Sequence, residues 1–166
     1  MATKAMIMAA GIGSRLEPLT SGKPKPMVPV ANIPVMEHIL QLLKKHNITE
    51  VIANTHYLAP QINNYFVPGR INGLNLELLH EEELSGTAGG VKKCEYFLNN
   101  NETFVVMSGD SLTDVNLTKL IDQHKKAGAI ISMGLKSVPI EEVVHLGVVV
   151  TDQNGKITEF QEKPPI

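Results

Sequence analysis

Ala5-Met6-Ile7-Met8-Ala9-Ala10-Gly11-Ile12-Gly13-Ser14-Arg15-Leu16 opens the readable part of the chain with an apolar run stopped by a glycine loop. A short, continuous apolar run that ends at glycine has the pattern of a buried strand. Helical periodicity appears from Val35, where Met36, Ile39, Leu40 and Leu43 share one face and Lys44 and Lys45 occupy the last turn. Between these segments Pro18, Pro24, Pro26, Pro29 and Pro34 exclude a continuous helix, because each fixes φ and removes a donor. Further along, Glu50 to Asn54 reads as a strand, Pro60 to Phe66 as a short helix and Leu74 to Glu82 as a strand. Thr87 to Leu98 reads as a helix, Thr103 to Met107 as a strand, and Leu117 to Ala127 as a helix capped by Gly128. Ala129 to Leu135 reads as one more strand. Gly147 to Thr151 and Lys156 to Glu162 flank Asp152-Gln153-Asn154-Gly155, whose Asn-Gly pair signals a hairpin. Strand and helix alternating in this way predict an α/β fold, a mainly parallel sheet with helices on both faces, and one β-hairpin near the C-terminus.

The 166 residues suit one domain, and a hydrophobic fraction of 43% with 19% charged residues excludes a disordered or fibrous chain. No apolar run approaches the ~20 residues that a membrane helix needs. The start, Met1-Ala2-Thr3-Lys4, carries no signal-peptide pattern. Fifteen Lys and Arg against 17 Asp and Glu give a net charge of -2, which argues against a general nucleic-acid binder. The single cysteine, Cys94, cannot form an internal disulfide and suits a reducing cytoplasm. Its helical spacing with Val91 and Leu98 reads as a buried core thiol. The six His show no metal-ligand spacing. Lys44-Lys45, Lys92-Lys93 and Lys125-Lys126 read as exposed helix faces, Glu81-Glu82-Glu83 as a solvated run, and Asp114 as the cap of the helix near Leu117.

Gly11-Ile12-Gly13 after a strand raises two phosphate-binding readings, and both fail. A dinucleotide fingerprint needs Gly or Ala where Leu16 stands and a helix where the prolines begin. A Walker A loop needs a Gly-Lys-Ser/Thr string that the chain lacks. What remains is a glycine loop able to aim backbone N–H groups at phosphate, with Arg15, one of only two Arg, as a bidentate fork and Lys25 as a second cation.

Ala10-Gly11-x-Gly13-x-Arg15-Leu16-x-Pro18-Leu19-Thr20 followed by Pro24-Lys25-Pro26 resembles the signature of the sugar-1-phosphate nucleotidyltransferases, the nucleotide-sugar pyrophosphorylases. The resemblance continues in order through Gly86-Thr87-Ala88-Gly89, Ser108-Gly109-Asp110, Gly147-Val148-Val149 and Phe160 to Pro164. Within the family, the stretch from Gly147 to Pro164 most resembles mannose-1-phosphate guanylyltransferases, and glucose-1-phosphate thymidylyl-, uridylyl- and adenylyltransferases share enough of it to stay open. The sequence departs from the family pattern at Leu84, Ser85 and Leu146, where Pro, Leu and an aromatic residue are usual.

The resemblance implies a Rossmann-like catalytic domain in which a sugar 1-phosphate attacks the α-phosphorus of a nucleoside triphosphate. An NDP-sugar, such as GDP-mannose or a related NDP-hexose, and pyrophosphate are the products. Arg15, Lys25 and Asp110 would be catalytic, with Asp110 holding Mg²⁺. Ala10, Gly11, Gly13, Ser14, Arg15, Lys25, Glu81, Gly86 and Thr87 would bind the nucleotide, Glu81 by reading the base. Gly147, Glu162 and Lys163 would bind the sugar phosphate. The resemblance also implies that residues 1–166 are the N-terminal and central part of the catalytic domain, with the C-terminal part and its second metal-binding Asp absent. Apolar surface left uncovered would then favour homo-oligomers. A competing expectation is a non-catalytic, nucleotide-binding regulatory subunit of the same descent. Retention of Arg15, Lys25, Asp110 and Lys163 favours the enzyme.

Overall fold

The computed structural model describes residues 3–13, 16–99 and 103–164. The chain packs as two compact units that divide between Ala129 and Ile130.

In the first unit β1 (Lys4–Met8) leads into the proline loop, which holds a two-residue ribbon of β2 (Pro29–Val30) and β3 (Ile33–Pro34). Then follow α1 (Val35–Lys45), β4 (Glu50–Thr55), α2 (Ala59–Tyr65), β5 (Asn75–His80), α3 (Gly86–Lys93), α4 (Glu95–Leu98), β6 (Phe104–Ser108) and α5 (Leu117–Ala127). The four long strands form one parallel sheet in the order β5-β4-β1-β6, with Ala5 level with Val51 on one side and Val105 on the other.

Side chains of β1 alternate between two helical layers. Ala5 and Ile7, with Val51 and Ala53 of β4, pack on Met36, Ile39, Leu40 and Leu43 of α1, Ile62 of α2 and Leu117 of α5. Met6 and Ile52 face the opposite way, onto Cys94, Phe97 and Leu98. Both faces of the sheet are therefore covered, as the continuous apolar runs require. Cys94 is fully buried, and burial, with the nearby Glu81 and Glu77 charges, pushes its thiol up to about 11.

Several local expectations change. The expected helix from Thr87 to Leu98 is two helices, because the backbone tightens at Cys94, whose N–H reaches the carbonyls of both Gly90 and Val91. The cap of α5 is Asn116, whose side chain accepts the Lys119 N–H at 2.9 Å, and not Asp114. Gly128 closes α5 in the left-handed conformation, as expected. Ala31 and Asn32 form the β2–β3 turn at φ 48 and 64, inside a loop whose prolines give it an irregular look in sequence.

The second unit contains a 3-10 segment (Ile140–His145) and the antiparallel hairpin of β7 (Gly147–Thr151) and β8 (Ile157–Glu162). Its turn closes through Gly155 N–H to the Asp152 carbonyl, with Gly155 at φ +79 and Asp152 Oδ1 accepting from the N–H groups of Asn154 and Lys156. Residues 129–135 do not form the expected strand. Among the described residues no strand pairs with them, and Ile130 is 97% exposed. A β-rich segment gains strand structure only from a neighbour.

Leu40 is wholly buried between α1 and the sheet. Leu40→Ala should lower the unfolding free energy by about 2–5 kcal/mol in urea titrations. Lys45→Ala, on the exposed side of the same helix, should leave it nearly unchanged.

Candidate functional site

From β1 the chain adds β4 and β5 on one side, then returns to place β6 on the other. Loops leaving the C-terminal ends of β1 and β6 consequently diverge, and a crevice opens where the strand order reverses. A cavity of about 330 Å³ lies there, within the ordinary range for small-molecule sites. Ala9, Ala10 and Gly11 after β1, Asn54 of β4, Glu81 after β5, Gly86 and Thr87 of α3, Asp110 after β6, and Lys25 line it. A larger hollow beside Lys44, Lys45 and Arg70 is shallow and carries no buried polar group.

The β1 and β6 ends touch at Gly109, whose N–H donates to the Met8 carbonyl at 2.8 Å. A side chain there would bring a Cβ to 2.9 Å from that oxygen and 3.0 Å from Ile7, so only glycine lets Asp110 stand this close to the β1 loop. Asp110 Oδ2 pairs with Lys25 Nζ at 2.5 Å, while Oδ1 accepts from the hydroxyls of Ser108 at 2.5 Å and Ser111 at 3.1 Å. Burial would raise the Asp110 pKa, but the bonds from Lys25 and Ser108 outweigh it and hold the carboxyl below its ordinary range. Lys25 is fixed by the short helical turn Lys25–Met27 and by Gly13, which packs on its side chain at φ +79. The loop before it is tied down by Thr20 Oγ1 to the Gly13 carbonyl, and by Tyr57 and Gln61 to the carbonyls of Thr20, Ser21 and Gly22.

Of the residues expected to bind nucleotide, Ala10, Gly11, Lys25, Glu81, Gly86 and Thr87 meet in this one cavity, together with Asp110. Gly13 acts one step back, behind Lys25. Ser14 and Arg15 lie outside the described residues. Gly147, Glu162 and Lys163 belong to the second unit, where Gly147 stands level with Glu162 across the hairpin. Lys163 follows at φ 47 and donates its N–H to the Leu146 carbonyl at 2.9 Å.

Glu81 departs most from expectation, since Glu82 and Glu83 are exposed but Glu81 is only 2% exposed. Its carboxylate accepts from Asn54 Nδ2 at 2.6 Å, Ser85 Oγ at 2.5 Å and Lys93 Nζ at 2.9 Å. Lys93 is therefore not simply part of an exposed helix face. Sequence reasoning gives no binding role to Asn54, Ser85 or Lys93. The one signal is Asn54, a polar residue at the C-terminal end of an apolar strand, the ligand edge of a parallel sheet. Burial would raise the Glu81 pKa, yet the bonds from Ser85, Lys93 and Asn54 take it from 4.5 to about 2. Because the folded value lies below the unfolded one, this contribution to stability is complete above about pH 4.5 and is lost as pH falls toward 2. The urea midpoint should drop across that window, and Glu81→Gln should flatten the drop while lowering the midpoint at neutral pH.

The family model described as nucleotidyl transferase matches residues 4–166. A UTP–glucose-1-phosphate uridylyltransferase of Synechocystis sp. is 43% identical over 98% of this chain and 45% of the relative. A mannose-1-phosphate guanylyltransferase of Mycobacterium tuberculosis is 34% identical over 96% of this chain and 44% of its own length. The chain thus spans about half the length of these curated relatives. The solved structure of a UDP-glucose pyrophosphorylase from Acinetobacter baumanii superposes with a TM-score of 0.82, at 22% identity over 99% of this chain and 69% of that one, a likeness of fold. Uridylyl- and guanylyltransferases both occur among the relatives, so the guanylyltransferase look of residues 147–164 does not single out a base. The parallel sheet with its crevice at the β1–β6 reversal, and a family match running from residue 4 to residue 166, lead to one conclusion: this chain belongs to the nucleotidyl transferase family.

Proposed function

We propose that the cavity binds a nucleoside triphosphate, and that the whole protein transfers its nucleotidyl group to a hexose 1-phosphate, giving an NDP-hexose and pyrophosphate. GDP-mannose and UDP-glucose exemplify the product class. The observation that carries this reading is the Lys25–Asp110 pair, set in one cavity with the β1 glycine loop and the start of α3. Backbone N–H groups at Gly11 and at Gly86 and Thr87 are donors suited to phosphate or to a polar base edge.

In this reaction an oxygen of the sugar phosphate forms a bond to the α-phosphorus, and the bond to the bridging oxygen of the leaving pyrophosphate breaks. The nucleophile is already an anion, so no general base is needed, and the work is alignment and charge neutralisation. Lys25 supplies a cation to the phosphates, and Arg15 is proposed as a second. Asp110 offers a hard oxygen of the kind Mg²⁺ takes, and its lowered pKa keeps that oxygen ionised. Among the described residues no group of three acidic, His or Cys side chains gathers to hold a metal. A Mg²⁺ held by Asp110 would neutralise charge on the triphosphate. Gly147, Glu162 and Lys163 are proposed as sugar-phosphate contacts, on the family resemblance.

Thermal melts with GTP and UTP, with and without MgCl₂, test the reading. Nucleotide at 100 times its Kd should add about 2.7 kcal/mol to stability. Lys25→Ala should weaken binding by ~1.5–3 kcal/mol, the worth of a charge-assisted contact, and Lys44→Ala, outside the cavity, should not. A melting curve that no nucleotide shifts would overturn the reading.

A further inference from the structure

Glu81 is a buried carboxylate at the wall of the proposed nucleotide cavity. Asn54 Nδ2 donates to Oε1 at 2.6 Å. Ser85 Oγ at 2.5 Å, Ser85 N at 3.3 Å and Lys93 Nζ at 2.9 Å donate to Oε2. The other end of the Asn54 amide accepts the Ala9 N–H at 3.0 Å. Lys93 also donates to the Glu83 carbonyl at 3.0 Å, and His56 Nδ1 lies 2.8 Å from the Glu81 carbonyl. The backbone of α3 lies flat on this network, because a Cβ at Gly90 would come within 2.7 Å of Asn54 Nδ2 and 3.3 Å of Glu81 Oε1. Directly and through Asn54, one carboxylate therefore joins three of the segments that line the cavity: the loop after β1, the end of β4, and the start of α3.

A purine edge with two adjacent donors would need both carboxylate oxygens turned toward it. Here Oε2 already takes three donors, one of them the Lys93 ammonium, and turning it to a base would take this acceptor from the Ser85 hydroxyl, the Ser85 N–H and Lys93. Ser85, where the family usually has Leu, supplies two of the three.

We propose that Glu81 is a positioning residue that acts through Asn54, Ser85 and Lys93 to set the gap between the β1 loop and the start of α3, and that it does not read the base. The proposal rests on the nucleotide reading of the cavity. It predicts equal losses for different bases, and a role for Lys93, which does not line the cavity.

Direct titration with GTP and with UTP in MgCl₂, on wild type, Glu81→Gln, Lys93→Met and Lys93→Arg, tests it. Each variant is held below the onset of its own melt, so that a loss of global stability does not register as lost affinity. Glu81→Gln and Lys93→Met should each weaken both nucleotides by about tenfold, the scale of misplacing a binding wall, with the GTP-to-UTP ratio unchanged. Lys93→Arg should recover most of the affinity. A ratio that shifts about tenfold in Glu81→Gln while Lys93→Met binds as wild type does would make Glu81 a base reader and overturn the proposal. Unchanged affinities in both variants would reduce the network to a fold-stabilising contact and overturn it equally. If Glu81→Gln fails to fold, Lys93→Met and its Arg rescue decide between the same outcomes. Wild type that binds neither nucleotide overturns the cavity reading and this inference together, and that result is visible before any variant is made.

Discussion

Strand β1 is hydrogen-bonded along both edges, to β4 and to β6, and packed on both faces, and the site depends on that double constraint. Ala5, Met6 and Ile7 have no exposed surface. A strand so enclosed cannot slip by one residue without turning Met6 into the α1 layer and Ile7 out of it, so its register is firmly held. Register at β1 decides where the chain leaves the sheet, at Met8 and Ala9. It also sets where Gly109 can approach from β6, and hence where Asp110 stands. Hydrophobic burial in the body of the sheet thus aims polar groups at its edge.

The two carboxylates in the cavity differ in what holds them. Asp110 keeps about a quarter of its side chain exposed, and its main partner, Lys25, sits on a loop with similar exposure. An ion pair of that kind can exchange partners when a phosphate or a divalent cation arrives, since water and ligand compete for both ends. Glu81 is enclosed, and its donors are Asn54 on β4, Ser85 just before α3 and Lys93 at the end of α3. Exchange at Oε2 would break three bonds within the protein, which suits Glu81 to holding shape. The same side-chain chemistry thus stands half-open in one place and enclosed in the other.

The family resemblance is readable because its residues sit in loops where backbone geometry restricts the choice of side chain. Gly109 shows this well: a residue that looks like part of a motif is required by the 2.9 Å approach to the Met8 carbonyl. The framework around Glu81 is not readable. Beyond the place of Asn54 at the end of an apolar strand, these residues carry no local mark, and Glu81 is followed by two acidic residues that do lie in solvent. Nothing in local pattern separates the one that turns inward.

The sequence by itself determined the layer pattern, because apolar runs and helical periodicity follow from which face of each element meets water. It also determined the loops that carry glycine, proline and cations, since those residues act on their own backbone. Tertiary structure alone decided that residues 129–135 form no strand, that Asn116 rather than Asp114 caps α5, and that Lys93 turns to Glu81. Each of these depends on a partner far along the chain or on the local path of the backbone. A strand needs a neighbour to take its hydrogen bonds, and a buried charge needs a donor within reach, and neither requirement is met by the residues adjacent in sequence.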